Sequence, residues 1–351
     1  MSGVTVLAQR HGSLMTSKIP ISILDFCPVL AGETPREALL QATDLAARVE
    51  KLGYKRFWVA EHHGASTVAS SATSVVISHI ASNTRTIRVG AGGVMLPNHA
   101  PLVVAEQFGT LASLYPDRID LGLGRAVGGA PGKEETMARA LRLAPDARAR
   151  YPSDVRELQS YFREPQPEQE VRAIPGSGLD VPLWLLGSST FSAAEAGTLG
   201  LPFVFATQIA PHVAGPALES YRSNFRPSDA LERPYVMICV FVIAADTDET
   251  AEYLLTSLQL TVLERLRGQP GPLQRPVRSL EAVSTPAERT ALERFIPLAV
   301  VGAREKVFGK LDALISVTEA DELIVLTLMH DQAARHRSFE LLAEHRAFAL
   351  G

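Results

Sequence analysis

Acidic, basic and small polar residues in this sequence gather where short apolar segments end. The first group is Glu61, His62 and His63, directly after the apolar segment Phe57–Ala60. Carboxylates and imidazoles transfer protons near neutral pH and also bind metal ions, so both histidines are candidate catalytic residues. Side chains alternate along an extended chain, so Glu61 and His63 should point one way and His62 the other. The alternative is that each histidine only packs against the protein with a backbone partner.

A second group consists of glycines within the apolar segment Val89–Met95. Gly90, Gly92 and Gly93 weaken an extended strand, because glycine loses more chain entropy on folding than any other residue. Such glycines are favoured where another backbone or a flat ligand approaches closely. A β-bulge without a ligand would require them as well, and the two interpretations are compatible.

A third group combines a cation with small polar residues. Arg125 follows a short apolar segment, and its guanidinium could bind two phosphate oxygens at once or form a structural ion pair with a carboxylate. Gly187, Ser188 and Ser189 join another apolar segment to a helical pattern that contains Ser192. Hydroxyls and free N–H groups at a helix N-terminus suit a phosphate, whereas simple N-capping by Ser189 is the alternative. We expect Arg125 and this turn to lie on adjacent loops and to bind one phosphate.

His330 and Asp331 follow the last apolar segment and supply a further imidazole and carboxylate. A metal-dependent hydrolase that uses Glu61, His63, His99 and Asp331 is therefore a competing hypothesis. The spacings HxH and HExxH are absent, so the sequence predicts no metal site. Asp331 also suits the N-cap position of the helix that follows it.

Alternating strands and helices must position these groups. Segments rich in apolar and β-branched residues predict eight strands, over Ile19–Phe26, Arg56–Glu61, Ile87–Met95, Ile119–Leu123, Pro182–Leu186, Leu201–Ala206, Tyr235–Ala245 and Glu322–Thr327. Helical patterns lie between them, over Pro35–Leu52, Ser71–Ser82, Leu102–Leu114, Phe191–Leu199, Glu249–Arg267, Arg304–Ile315 and Asp331–Phe348. Uninterrupted apolar strands separated by helices indicate parallel strands that are buried on both faces. Eight such units predict a (β/α)8 TIM barrel with its active site at the C-terminal strand ends, although a doubly wound sheet would alternate in the same way.

Two stretches interrupt this alternation, at about residues 127–180 and 268–297. We expect them to be insertions among the βα loops, where lids over the barrel mouth are built. Residues 1–18 show no periodic pattern and are predicted to be a flexible N-terminal extension. The remaining residues, 19–351, should then form one barrel domain.

Composition excludes several classes of protein. The 351 residues carry 34 Lys and Arg against 38 Asp and Glu, a net charge of −4, which argues against a surface for nucleic acid or anionic membranes. The 2 cysteines exclude a disulfide scaffold. No apolar run reaches the length of a membrane span, and the N-terminus lacks a signal-peptide pattern. The sequence therefore predicts a cytoplasmic enzyme.

Four segments together resemble the bacterial-luciferase-like flavin monooxygenases, and they occur in the order found in that family. They are WVAEHHG at 58–64, VGAGGVMLPNHAP at 89–101, YPDRIDLGLGRA at 115–126 and LWLLGSSTFSAAEAGTLGLPFVFA at 183–206. The C-terminal segment that begins at Asp321 resembles the stand-alone, single-chain members. The resemblance covers most of residues 19–351 and is weakest over 131–180 and 268–297.

The resemblance implies a (β/α)8 barrel that binds reduced FMN, or in some branches the deazaflavin F420, at its C-terminal mouth. It implies that His62 lies beside the reactive part of the flavin. It also implies that Gly92 and Gly93 lie against the flavin ring, in a bulge whose peptide bond is often cis. The positions that match the family's phosphate-binding residues are Arg125, Ser188, Ser189 and Ser192.

Enzymes of this family use reduced FMN and O2 to oxygenate a small organic substrate through a flavin C4a-hydroperoxide, which the protein must protect from water. The resemblance also implies a homodimer. Because no nicotinamide-binding fingerprint is present, a separate NAD(P)H:flavin reductase should supply the reduced FMN. The Ala- and Arg-rich composition suggests a GC-rich bacterial genome. The resemblance, which includes tailoring enzymes of secondary metabolism, implies an aromatic or polyketide-like substrate and a role in antibiotic biosynthesis. An F420-dependent oxidoreductase of the same fold and a flavin-binding protein without catalysis remain alternatives, beside the metal-dependent hydrolase.

Overall fold

The computed structural model describes residues 18–127, 134–345 and 347–350. Within these ranges the strands are β1 Ile19–Asp25, β2 Arg56–Val59, β3 Arg88–Met95, β4 Ile119–Gly124, β5 Leu183–Gly187, β6 Phe203–Ala206, β7 Val236–Ala245, β8 Ala299–Ala303, β9 Glu322–Leu326 and β10 Phe348–Ala349. The α-helices in the same ranges are α1 Pro35–Lys51, α2 Thr73–Ser82, α3 Pro101–Leu114, α4 Glu134–Ala140, α5 Ala147–Phe162, α6 Thr190–Thr198, α7 Ala214–Asn224, α8 Asp248–Leu266, α9 Pro286–Phe295, α10 Arg304–Thr318 and α11 Gln332–Ala343.

Eight of these strands close into a parallel barrel. The strands β1 to β7 pair in chain order, and β9 completes the ring by pairing with both β7 and β1. Each strand of the ring is followed by at least one helix along the chain. The predicted (β/α)8 TIM barrel is therefore confirmed, and the doubly wound sheet is excluded because its edges would not meet.

Two strands lie outside the ring, and the sequence analysis predicted neither of them. β8 pairs with the second half of β7, from Phe241 to Ala245, whereas β9 pairs with the first half. The ten residues of β7 are long enough to serve both partners. β10 has 2 residues beside the start of β1, at the end of the segment predicted as the last helix, which instead ends at Ala343.

Both interruptions of the alternation contain helices that the sequence analysis did not predict. α4 and α5 lie in the first insertion, and α9 lies in the second. Residues 1–17, most of the predicted extension, and residues 128–133 lie outside the described ranges. Among the described residues, no helix is long and apolar enough to cross a membrane.

Helix α1 shows how local sequence sets an element boundary. Thr34 is its N-cap, and the Thr34 hydroxyl accepts a hydrogen bond of 3.3 Å from the backbone N–H of Glu37. The Glu37 carboxylate in turn accepts a hydrogen bond of 2.6 Å from the backbone N–H of Thr34. Two N–H groups that a helix would leave unsatisfied are thereby paired, so the helix begins at Pro35, as predicted.

A buried ionic network fills the N-terminal end of the barrel, opposite the expected site. Arg56 donates hydrogen bonds to Asp120 at 2.7 Å and to Glu322 at 3.0 Å. Arg88 donates to Asp120 at 2.7 Å, and the Tyr235 hydroxyl donates to Glu322 at 2.9 Å. Burial raises the pKa of Asp120, but the two guanidinium groups outweigh it and hold that pKa below its ordinary value. This network of ion pairs and hydrogen bonds joins four strands of the barrel and serves the fold.

Candidate active site at the barrel mouth

Glu61 lies just after β2 and is the centre of a hydrogen-bonded cluster at the C-terminal end of the barrel. Its Oε1 atom lies 2.7 Å from His63 Nε2 and 2.9 Å from His99 Nε2. Its Oε2 atom accepts a hydrogen bond of 3.1 Å from the backbone N–H of Met95, the last residue of β3. Burial raises the pKa of the Glu61 carboxyl, but these hydrogen bonds outweigh burial and lower that pKa overall. Glu61 is therefore an anion that orients two imidazoles.

His62 points away from this cluster, as the alternation of side chains predicts. Its ring centroid lies 4.9 Å from that of Phe26. Its Nδ1 atom is buried and has no hydrogen-bond partner in the described part of the chain. Burial lowers the pKa of the His62 imidazole, and the Glu61 charge opposes that shift only in part. A buried ring nitrogen without a partner is uncommon in folded proteins, so this atom is a candidate for contact with a ligand.

The glycines of β3 form a bulge. The peptide bond between Gly92 and Gly93 is cis. The pairing of β3 with β4 shifts its register between Ala91 and Val94. A Cβ atom on Gly93 would lie 2.7 Å from the carbonyl oxygen of Gly122 in β4. The bulge and the close approach of two backbones therefore explain the glycines before any ligand is considered.

Arg125 follows β4 and is exposed at the barrel mouth. Its guanidinium carbon lies 4.2 Å from the centroid of the Phe191 ring, at the start of α6. Across the described ranges no carboxylate forms an ion pair with Arg125, so the structural ion pair considered from the sequence is not found there. With respect to the described residues, the guanidinium thus keeps its hydrogen-bond donors free beside a helix N-terminus.

The turn between β5 and α6 lies beside Arg125, because β4 and β5 are neighbouring strands. Ser189 is the N-cap of α6, and its hydroxyl accepts a hydrogen bond of 3.3 Å from the Ser192 N–H. The Ser192 hydroxyl donates to the Ser189 carbonyl at 3.0 Å and occupies the space where a Cβ on Gly187 would lie. N-capping by Ser189 is therefore confirmed. Ser188 is half-buried in the same turn.

The four residues of the hydrolase hypothesis do not come together. Glu61, His63 and His99 form one cluster, whereas Asp331 is not part of it among the described residues. The Asp331 carboxylate accepts a hydrogen bond of 2.9 Å from the backbone N–H of Ala334 and caps α11. The helix-capping interpretation of Asp331 is confirmed, and the hydrolase hypothesis lacks its fourth residue.

One insertion contacts the segment that carries His63, and the other contacts the loop after β1. A Cβ atom on Gly64, the residue after His63, would overlap the terminal methyl of Met137 in α4. Leu273 forms backbone hydrogen bonds of 2.8 Å with Val29 and 2.9 Å with Ala31, in the loop after β1. Both insertions therefore pack at the barrel mouth.

Sequence reasoning missed several polar atoms that are buried without a partner in the described residues, among them Gln208 Oε1 and Trp184 Nε1. Gln208 comes two residues after the end of β6. The rule that polar residues at strand ends line the mouth could have identified Gln208. Trp184 lies inside an apolar strand, where no polar pattern marks its indole N–H.

Comparison with known proteins gives the class to which this fold and site belong. The sequence profile described as "Luciferase-like monooxygenase" matches residues 19–317, and the chain belongs to this family. It is 46% identical to a luciferase-like monooxygenase of Escherichia coli, over 96% of this chain and 100% of that protein. It is 32% identical to the N-acetyl-S-alkylcysteine monooxygenase of Bacillus subtilis, over 93% and 98%. The solved structure of apo-MsnO8 is 35% identical, with a TM-score of 0.86 over 95% of this chain and 100% of that one.

Two more distant structures share the fold but differ in cofactor. The oxygenating constituent of 3,6-diketocamphane monooxygenase from Pseudomonas putida, solved with FMN, has a TM-score of 0.70 at 18% identity, over 95% of this chain and 100% of that one. A secondary alcohol dehydrogenase, solved with an F420-acetone adduct, has a TM-score of 0.62 at 16% identity, over 93% and 98%. At these identities the likeness concerns the fold alone.

Proposed function

We propose that this protein is a monooxygenase that uses reduced FMN and O2 to oxygenate a small organic substrate. The observation that carries the proposal is the position of Arg125. A guanidinium without an ion-pair partner in the described part of the chain lies beside the N-terminal turn of α6, where it offers both a positive charge and hydrogen-bond donors to one phosphate. Ser188 and the free N–H groups of that turn would complete the phosphate site. FMN has such a phosphate, and it would anchor the flavin between β4 and β5.

The ring of the cofactor fits the residues that line the rest of the mouth. The bulge at Gly92 and Gly93 presents backbone without side chains, on which a flat ring can lie. The buried Gln208 oxygen is an acceptor that needs an N–H donor, and the buried His62 Nδ1 needs a partner as well. A flavin ring carries both kinds of polar edge. When bound, reduced FMN supplies the electrons that reduce one oxygen atom of O2 to water while the other enters the substrate.

The protein's own residues would bind and orient the reactants and would exclude water. His62, whose pKa is lowered by burial, is a neutral imidazole at pH 7 and can hold or pass one proton at Nδ1. The Glu61 carboxylate accepts a hydrogen bond from Nε2 of His63 and so orients that ring. The contacts of Met137 and Leu273 at the mouth would limit the entry of water, which favours the oxygenation over loss of reduced flavin.

The proposal also covers the class of substrate and the source of reduced flavin. The Bacillus subtilis relative named for N-acetyl-S-alkylcysteine supports thioethers as one class to test, and the polyketide-like class from the sequence is the other. Because the sequence has no nicotinamide-binding fingerprint, a separate NAD(P)H:flavin reductase would supply reduced FMN.

A homodimer is part of the same proposal. The neighbouring helices α2 and α3 carry three exposed apolar side chains: Val75, Val103 and Leu114 are 67%, 44% and 62% exposed. Apolar side chains in such positions favour an interface. Light scattering after size exclusion should give twice the chain mass, and Val75→Glu should reduce it to one chain if α2 lies at the interface.

The test combines binding with isotope incorporation. The purified chain is titrated with FMN and with F420, and then reduced FMN, 18O2 and a panel of thioethers and aromatic polyketides are supplied. We expect tighter binding of FMN and one 18O atom in a product. Turnover with reduced F420 alone would replace the proposal by the F420-dependent oxidoreductase. Tight FMN binding without any oxygenated product from the panel would favour the flavin-binding alternative.

A further inference from the structure

Glu61 differs from the other deeply buried carboxylates that flank the barrel. Asp25, Asp120 and Glu322 each form an ion pair with an arginine. Glu61 is just as buried, with a side chain only 1% exposed, yet within the described residues its ion-pair partners are two histidines. A buried carboxylate needs a cation or several hydrogen bonds to compensate for its lost hydration. Its charge is therefore not matched by a permanent cation.

The side chains of this cluster are also a set of metal ligands. Glu61, His63 and His99 each offer one ligand atom, and these atoms lie within 4.8 Å of one another. Two histidines and one glutamate, with a water as fourth ligand, are a common donor set for zinc in proteins. Zinc–ligand bonds of about 2.0–2.1 Å place tetrahedral ligands about 3.3 Å apart. The distances of 2.7 and 2.9 Å from the Glu61 oxygen to the imidazole nitrogens need to widen only slightly.

The cluster is accessible from one side. The side chains of His63 and His99 are 17% and 31% exposed, whereas Glu61 is closed off behind them. An incoming ion would thus meet the imidazoles first and keep one coordination position open to water. The backbone hydrogen bond from Met95 leaves the Glu61 Oε1 atom free to face the ion.

From this arrangement we propose that Glu61, His63 and His99 form a site for one divalent cation of the zinc type. Zinc binding replaces the two hydrogen bonds on Glu61 Oε1 by metal bonds and displaces a proton wherever an imidazole Nε2 carries one. The ion supplies the positive charge that the buried carboxylate lacks. One consequence rests on the proposed function: zinc should inhibit the oxygenase, because His63 would no longer be free to exchange protons. The binding itself does not depend on flavin chemistry.

The test uses the full-length chain, freed of flavin and metal by dialysis against a chelator. Co²⁺ is titrated in, because its visible absorption becomes intense in tetrahedral coordination. We expect saturation at one Co²⁺ per chain and displacement by Zn²⁺, which binds such sites more tightly. His63→Ala and His99→Ala each remove a ligand and should weaken Zn²⁺ binding by at least about 100-fold, since losing an outer-shell partner already costs 10- to 100-fold. His79→Ala removes an exposed histidine of α2 and should change nothing.

Three results decide the matter. Binding weaker than millimolar in the unaltered chain overturns the proposal, and so does equal affinity in the unaltered chain, His63→Ala and His99→Ala. Loss of binding in both variants, with His79→Ala unaffected, supports it. Circular dichroism and melting temperature check the fold of each variant, and Glu61→Gln, which keeps the shape but removes the charge, serves where an alanine variant unfolds. None of these measurements requires a flavin, so the outcome is independent of the oxygenase test.

Discussion

Replacing Arg125 by alanine should weaken the binding of FMN and leave the binding of riboflavin unchanged. A hydrogen bond to a charged group is worth about 1.5–3 kcal/mol, which corresponds to about 10- to 150-fold in affinity. Two structural facts narrow this range. Arg125 has no carboxylate partner among the described residues, so its removal leaves no protein charge unpaired. Arg125 is also exposed, so water screens its charge, and we expect the lower part of the range, about 10- to 30-fold.

The assay compares two ligands on matched variants. FMN and riboflavin differ only in the phosphate, so the ratio of their dissociation constants isolates the phosphate contact. Arg125→Lys retains the charge but not the planar pair of donors, and it should fall between the unaltered chain and Arg125→Ala. Arg226→Ala is the control, because Arg226 is an exposed arginine beside the opposite end of α6. There its backbone N–H donates a hydrogen bond of 2.9 Å to the Gly197 carbonyl, and the substitution leaves that bond in place.

The reasoning would be refuted by either of two results. An equal loss of FMN and riboflavin binding would mean that Arg125 supports the structure of the mouth, through its contact with Phe191, and not the phosphate. An unchanged FMN affinity in Arg125→Ala would mean that other residues bind the phosphate. In that case the serine turn alone, or a different loop of the barrel, would have to hold the phosphate.

Three further predictions concern the stability of the fold and the state of the site. Burial lowers the pKa of His62 in the folded protein. Below about pH 6.5 the unfolded chain therefore binds a proton at His62 more readily than the folded protein does. The free energy of unfolding should fall as the pH drops from there toward the pKa of the folded state. His62→Gln should reduce that loss in urea unfolding at pH 7.5 and 5.5. Gly93→Ala should cost about 1–3 kcal/mol by calorimetry, because its Cβ meets rigid backbone, whereas Gly309→Ala in α10 meets open space and should be neutral or stabilising. Asp120→Asn should cost about 3–5 kcal/mol, because two arginines would lose their buried partner; a loss below 1 kcal/mol would show that water reaches the network.

The ring of the barrel could be predicted because its strands are buried on both faces. β7 is buried over its whole length, so its sequence is continuously apolar and unlike that of a surface helix. β8 was not predicted although its sequence is also apolar. Its five residues follow an irregular insertion, and the strand does not belong to the ring. No local pattern distinguishes a strand inside the ring from one paired at its rim.

The candidate site was predictable in part for the same reason. Alternation after β2 correctly separated His62 from Glu61 and His63. The contact of His99 with Glu61 joins residues 38 positions apart, and only the closure of β2 against β3 brings them together. The stacking of Arg125 on Phe191 likewise depends on β4 lying beside β5, which sequence spacing cannot fix.

The Asp120 network at the N-terminal end of the barrel and the Glu61 cluster at its mouth compensate their buried carboxylates differently. At the N-terminal end Asp120 is held by arginines, whose charge is permanent, so its proton affinity is fixed far from neutral pH. At the mouth Glu61 is held by His63 and His99, whose imidazoles carry no permanent charge. Arginines in place of both histidines would supply a permanent charge but would leave the cluster without an imidazole that can exchange a proton. Of these two networks, the one without a permanent arginine charge therefore lies at the barrel mouth.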